Sequence, residues 1–296
     1  MNVIDQVHRP RWSLYNGDCV EVIRALPNKS VDLSLFSPPF SSLYTYSPSE
    51  RDMGNAEDDA DFCRHYAYLA EELYRITRPG RLCAVHCKEI ADYKIRAGRA
   101  GLRDFPGDLI RVHEDTGWKY HSRVTIWKCP VQEAARTNTQ RLLYGQMQKD
   151  STLSGVGQSE SILIFRRWPT ADEEAELVPV VHVEGDIPLR VWRDWASPVW
   201  LDINQTRVLN VAEAKSDKDE KHMCPLQLDV VERIVRLYSN HGEVVFSPFT
   251  GIGSEGDGAL RFGRRFAGVE LKPEYFKKAC ENLEAATRQL SMDLAA

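Results

Sequence analysis

Two short stretches carry residue types able to do chemistry. Ser37-Pro38-Pro39-Phe40 directly follows the apolar run VDLSLF. Its two prolines hold the backbone rigid and project Phe40, while the Ser37 hydroxyl and the Pro38 carbonyl can both accept hydrogen bonds. An amino group could be held there; alternatively, the prolines simply break the element. The second stretch is Ser247-Pro248-Phe249-Thr250-Gly251-Ile252-Gly253-Ser254-Glu255-Gly256, between an apolar run and a helical pattern. Glycines let a backbone approach a ligand closely, and a helix N-terminus offers free N–H groups. Gly251, Gly253 and Gly256 fit G-x-G-x-x-G, and Glu270 ends the next apolar run, as a dinucleotide fold would require. An ordinary strand-to-helix turn with Glu270 as a surface acid is the competing reading.

An alternation of strands and helices must position these loops. Short strands are expected over 12–15 and 31–36 around a helix near 18–26. Phe62, Tyr66, Leu69, Leu73 and Ile76 recur at helical spacing over 61–76, Arg78-Pro79-Gly80 stops that helix, and RLCAVHC reads as a buried strand. A helix over 106–116 and a strand over 119–128 follow, with SILIF at 161–165 as an antiparallel partner. Between them, residues 130–157 show no periodic pattern and read as a substrate loop. Residues 168–210, with an acidic start, several prolines and Trp168, Trp192, Trp195 and Trp200, read as an inserted subdomain. The alternation resumes with a helix over 225–238, a strand at 243–246, the glycine turn, a helix to 262, a strand at 265–270 and a helix over 273–290. A nicotinamide-binding domain would need further strands after Glu270, but one helix remains, so the missing strands must come from the N-terminal half. The expectation is an α/β fold with one circularly permuted sheet: residues 1–167 as the catalytic half, 168–210 as the insertion and 211–296 as the cofactor half.

Composition narrows the classes. Of 296 residues, 43% are hydrophobic and 27% charged, and no run approaches the ~20 apolar residues of a membrane span. The start lacks a basic segment followed by an apolar one, and seven cysteines are scattered over the whole length, so a cytoplasmic protein with reduced cysteines is expected. A net charge of −5 gives no global attraction to nucleic acid, although basic residues concentrate between Lys88 and Lys149. No metal site is expected: His86 and Cys87 point to opposite faces of one strand, and no second cysteine pair completes a zinc site. Cys129-Pro130 reverses the order that cysteine attack on a ring carbon would call for, and His65 and His222 read as surface or structural histidines.

With both loops in view, GD before a helix, VDLSLFSPPF and, much later, EVVFSPFTGIGSEGDGALRFGRRFAGVELKPEYF together resemble the amino-methylating DNA methyltransferases that use S-adenosylmethionine. The likeness spans most of 12–128 and 221–290, in that family's β order, with the catalytic motif before the cofactor motif. It implies a Rossmann-like S-adenosylmethionine-dependent methyltransferase sheet in which Ser37, Pro38, Pro39 and Phe40 are the catalytic tetrapeptide. It further implies that Phe249, Gly251 and Gly253 form the cofactor loop, that Glu270 meets the cofactor ribose and that Asp18 belongs to the adenine pocket. Pro225 resembles the start of the segment closing over the methionine end. Ser247 counts with the cofactor residues, yet it stands where the family commonly has an acid, so the contact to the cofactor's ammonium group must be weaker or come from elsewhere. Residues 221–225 also lack the usual Lys-Pro pair.

The implied reaction is methyl transfer to an exocyclic amino group of a flipped base. Serine in first position resembles the cytosine-N4 enzymes more than the aspartate of adenine-N6 enzymes, so cytosine N4 is favoured and adenine N6 is the alternative. An inactive cofactor- or DNA-binding protein, a nicotinamide oxidoreductase and an RNA methyltransferase are the competing classes. The implied partner is double-stranded DNA, contacted at its phosphates by Arg136, Arg141 and Lys149, with a homodimer allowed and no membrane association. Residues 168–210 are the expected recognition segment, with the tryptophans as its compact core.

Overall fold

The computed structural model describes residues 3–40, 52–92, 101–137, 143–210 and 225–293. In chain order its elements are β1 (Asp5–His8), β2 (Trp12–Asn16), α1 (Cys19–Arg24), β3 (Val31–Phe36), α2 (Asp59–Ile76), β4 (Thr77–Lys88), β5 (Ile90–Asp92), β6 (Gly101–Arg103), α3 (Phe105–Asp115), β7 (Lys119–Ile126), α4 (Pro130–Thr137), α5 (Tyr144–Lys149), β8 (Glu160–Arg166), α6 (Leu189–Trp195), β9 (Val199–Trp200), α7 (Leu228–Tyr238), β10 (Val244–Ser247), α8 (Ser254–Arg261), β11 (Arg265–Glu270) and α9 (Pro273–Asp293).

Nine strands form one sheet in the order β1-β2-β11-β10-β3-β4-β8-β7-β9. The five from β2 to β4 are mutually parallel, and β8 runs antiparallel to both β4 and β7. The late strands β10 and β11 fill the gap between the early strands β2 and β3. That insertion is the circular permutation expected from the short tail after Glu270.

Strands of a parallel sheet covered on both faces read as near-continuous apolar runs, and all six residues of β3 are buried. Side chains alternate between faces along β8: Ile162 and Ile164 join one core with the apolar sides of α7, α8 and α9, while Leu163 and Phe165 join the other beneath α1, α2 and α3. Aspartates cap the helices of the second layer. Asp18, Asp58 and Asp104 accept the N–H of Glu21, Asp61 and Gly107 at 2.9, 2.7 and 3.0 Å, satisfying donors that have no partner within their helices.

Several segments differ from the sequence reading. The exposed edge strand β1 and the β5–β6 ribbon offer no apolar alternation to read. Residues 130–157 contain α4 and α5, each too short for helical periodicity to show. The stretch read as a separate subdomain contributes β9, which pairs in parallel with the end of β7. Its tryptophans do not form a compact core of their own. Trp200 is buried in the main core, 1% exposed, whereas Trp168 and Trp192 are 58% and 50% exposed. The strand after α2 begins at Thr77, before the Arg78-Pro79-Gly80 stop, and its register against β3 shifts across that turn.

Candidate active site

Because β2, β11, β10 and β3 are parallel neighbours, the loops leaving their carboxyl ends lie side by side. Gly17 and Asp18 after β2, Ser37 to Phe40 after β3, Pro248 to Ile252 after β10, and Glu270 to Lys272 at the end of β11 all line one cavity. Crevices outside the carboxyl ends of such strands are where α/β sheets bind ligands.

The glycine turn is shaped by left-handed backbone. Gly251 (φ +53°) faces the cavity, and a Cβ there would meet nothing within 4 Å, so a side chain would both strain the turn and project into ligand space. Gly253 (φ +96°) precedes α8 and instead approaches α9: a Cβ would lie 3.5 Å from Ala279. A Cβ on Gly256 would sit 2.4 Å from the Leu283 side chain, which makes this glycine a requirement of helix packing. The Glu270 carboxylate accepts the N–H of Gly251 at 2.7 Å and of Lys272 at 2.8 Å. Burial pushes Glu270 up to about 7 against those two donors, and burial with Glu270 nearby pushes Glu255 up to about 8. Two acids at one cavity are therefore protonated far above the ordinary carboxyl range.

In the loop after β3 the Ser37 hydroxyl lies 3.1 Å from His86 Nδ1 and 3.2 Å from the His86 carbonyl oxygen. His86 Nε2 is 3.2 Å from Glu160 Oε2, whose other oxygen meets Lys128 Nζ at 2.7 Å, and the Gln227 amide donates to the same carboxylate. Burial alone would raise the Glu160 pKa; His86 and Lys128 outweigh it and hold the carboxylate well below its usual range. A hydroxyl donating toward His86 keeps its lone pairs available to an amino group in the cavity. Pro38 and Pro39 are buried, and the Phe40 ring meets Phe105 edge-on at 6.0 Å.

Of the residues expected from sequence, Ser37, Pro38, Pro39, Phe40, Asp18, Pro225, Phe249, Gly251 and Glu270 come together around the cavity. Ser247 and Gly253 do not line it. Ser247 is buried at the end of β10, and among the described residues its hydroxyl has no partner. Lys149 is exposed on α5, Arg136 lies in the last turn of α4, and Arg141 lies outside the described residues, as do 221–224 of the segment before Pro225. Sequence reasoning missed the cavity residues Asp52, Met53, Glu255, Lys272 and Tyr275, and the support of Ser37 by His86 and Glu160. The available signal was a polar residue inside or bordering an apolar strand, His86 in RLCAVHC and Glu160 before SILIF.

Comparison with known proteins agrees with this architecture. A candidate DNA modification methylase of Thermus thermophilus, solved in complex with S-adenosyl-L-methionine, superposes with a TM-score of 0.67 at 24% identity over 95% of each chain. The PvuII DNA methyltransferase, cytosine-N4-specific, superposes at 0.61 with 16% identity over 98% of this chain and 96% of its own. Both likenesses establish the fold, one mixed α/β sheet shared over nearly the whole chain. The DNA adenine methyltransferase YhdJ of Escherichia coli (strain K12) is 33% identical over 140 residues, 47% of this chain and 40% of its own. The chain spans 66%, 40% and 54% of the lengths of three curated methyltransferase relatives that it matches. A family model described as DNA methylase, of the N6/N4 type, matches residues 31–281, and the chain belongs to that family.

Proposed function

We propose that the chain transfers a methyl group from S-adenosylmethionine to an exocyclic amino group of a DNA base, cytosine N4 in preference to adenine N6. The observation that carries this reading is a single cavity holding both halves of the chemistry, the Gly251–Glu270 turn and Ser37-Pro38. The residues present suit the cofactor. Gly251 leaves space where any side chain would intrude, Glu270 holds an oriented carboxyl for ribose hydroxyls, Asp18 serves the adenine end, and Phe249 and Pro225 add apolar walls.

When bound, S-adenosylmethionine supplies a methyl group on a sulfonium, ready for direct attack. The chain's task is to orient the nucleophile. An amino nitrogen on a base has its lone pair delocalised into the ring. Ser37 and the Pro38 carbonyl, by accepting its two hydrogens, favour the tetrahedral geometry in which the lone pair turns toward the methyl group. Such acceptors, fixed before reaction, stabilise the transition state more than the ground state. His86 holds the Ser37 hydroxyl from behind, and Glu160 holds His86. A target atom inside a duplex requires base flipping at a cost of a few kcal/mol, and Phe40, braced by Phe105, offers a face for the flipped base.

Serine at position 37 supports cytosine, and the likeness to an adenine methyltransferase supports N6 as the second reading. Incubation with labelled S-adenosylmethionine and mixed DNA, followed by digestion to nucleosides, tests the proposal. Label in N4-methylcytosine is expected. Label in N6-methyladenine alone overturns the base assignment, and no label in DNA overturns the activity.

A further inference from the structure

Four carboxyl side chains line the cavity: Asp18, Asp52, Glu255 and Glu270. Three are engaged by backbone donors. Asp18 accepts the N–H of Glu21, Asp52 that of Gly54, and Glu270 those of Gly251 and Lys272. Glu255 differs. It stands in the first turn of α8, is 4% exposed, and among the described residues no group beyond its own backbone N–H bonds to its carboxyl. The next acid along the helix, Asp257, is bound to Arg261 at 2.7 Å and does not line the cavity. An acid buried without a partner is costly to ionise, so its natural complement is a cation brought in by a ligand.

The chemistry of that ligand follows from what the other walls already hold. Glu270 and Asp18, at the ends of β11 and β2, serve the nucleoside end, and the glycine turn separates Glu270 from the start of α8. At the end of β10 the chain has Ser247, which is fully buried and does not line the cavity. We propose that Glu255 receives the α-ammonium group of S-adenosylmethionine, supplying from the first turn of α8 the acidic contact that Ser247 cannot make from β10. This assignment rests on the cofactor reading above.

The titration behaviour agrees with the geometry. The charged and titratable groups sharing the cavity with Glu255 are Glu270, Lys272, Tyr275, Asp18, Asp52 and the Cys19 thiol. Burial, with Glu270 adding repulsion, raises Glu255 to about 8, so at neutral pH the cavity holds it protonated. Pairing with an ammonium group favours the carboxylate, and binding at pH 7 must then release about one proton from this residue.

Calorimetry on the full chain provides the test, with two ligands in two buffers of different ionisation enthalpy. S-adenosylhomocysteine carries the ammonium group on a neutral thioether; 5′-methylthioadenosine has the same nucleoside and a neutral thioether but no amino acid. The parent protein should release a proton on binding the first and not the second, a comparison in which the nucleoside contacts of Glu270 are common to both ligands and no sulfonium charge intervenes. Glu255→Gln should weaken S-adenosylhomocysteine binding roughly ten- to hundredfold, abolish the proton release and leave 5′-methylthioadenosine affinity within about twofold. Equal proton release with both ligands, or a Glu255→Gln variant that binds S-adenosylhomocysteine like the parent or loses both ligands alike, overturns the assignment. A parent protein that binds neither ligand removes the cofactor reading itself, an outcome distinct from all of these.

Discussion

The Glu270 carboxylate accepts the Gly251 N–H at 2.7 Å, so the acid that ends β11 fixes the turn that follows β10. One side chain thus shapes the glycine loop and presents a carboxyl to the cavity. Glu270→Ala removes both roles and should weaken S-adenosylmethionine binding by roughly 1.5 to 3 kcal/mol, the scale of hydrogen bonds to a charged group. Unchanged affinity in calorimetry would remove Glu270 from the cofactor site.

Ser37→Ala and Phe40→Ala act on the loop after β3. Both side chains line the cavity from a different loop than the glycine turn, so both variants should keep cofactor affinity and lose most methyl transfer. If both methylate DNA at the parental rate, the tetrapeptide is a loop breaker only.

His86 touches Ser37 and Glu160 and is not among the residues lining the cavity, which makes it a positioning residue. His86→Ala should lower kcat by roughly five- to tenfold, about one hydrogen bond's worth, with little change in KM for DNA or in cofactor affinity. Glu160→Gln leaves Lys128 beside a neutral partner in a buried site, and removing one member of such a pair costs on the order of 3 kcal/mol in stability. A Glu160→Gln protein that melts with the parent would show that the network stabilises nothing.

The parts legible in sequence were those set by local pattern. The run VDLSLF became β3 and RFAGVE became β11 at their expected limits, because a short run rich in apolar residues and bounded by turn-forming residues is a local signal. The permuted order, with β10 and β11 set between β2 and β3, was expected from the position of the glycine loop late in the chain. What the sequence hid depends on long-range contact. Glu160 is far from His86 along the chain, and only the antiparallel pairing of β8 with β4, which sets Ile162 opposite His86 and Glu160 opposite Lys88, brings the two side chains together. Glu255 was in plain view within the glycine loop, but its orientation toward the cavity comes from the packing of α8 against α9, which spacing does not reveal.

Acid stability should turn on His113, whose ring is fully buried and stacked on Phe165 at 3.9 Å. Burial lowers its pKa from 6.5 to about 4 in the folded state. The unfolded chain therefore binds more protons between those values, and stability present above pH 6.5 is lost as pH falls toward 4, by up to about 3 kcal/mol. Glu255 has the opposite sign: its folded pKa lies above the unfolded one, so without ligand it lowers stability as pH rises from 4.5 toward 8. His113→Phe should flatten the acid side of the melting profile and Glu255→Gln the alkaline side. Profiles that superpose on the parent's would contradict both assignments.

The reading of DNA should be shallow and salt-sensitive. The expected recognition segment, 168–210, gives β9 to the sheet and buries Trp200 in the core, which ties its C-terminal part to the scaffold. Trp168 and Trp192 are left exposed, and Trp168 has the Arg166 guanidinium 5.0 Å above its ring. A segment so short places few side chains against base edges, and each bidentate contact gives only ~1 to 3 kcal/mol of discrimination. Phosphate contacts, for which Lys149 on exposed α5 and Arg136 on α4 are the proposed donors, position a duplex without reading it. Binding should therefore fall steeply with salt, and Lys149→Ala should reduce the slope of log K against log salt by about one without changing which sites are methylated. Mapping methylated positions across a bacterial genome exposed to the protein checks the specificity half. A short or degenerate site is expected, and methylation confined to one long, fully specified sequence would show that residues 168–210 read far more than their few exposed aromatic side chains suggest.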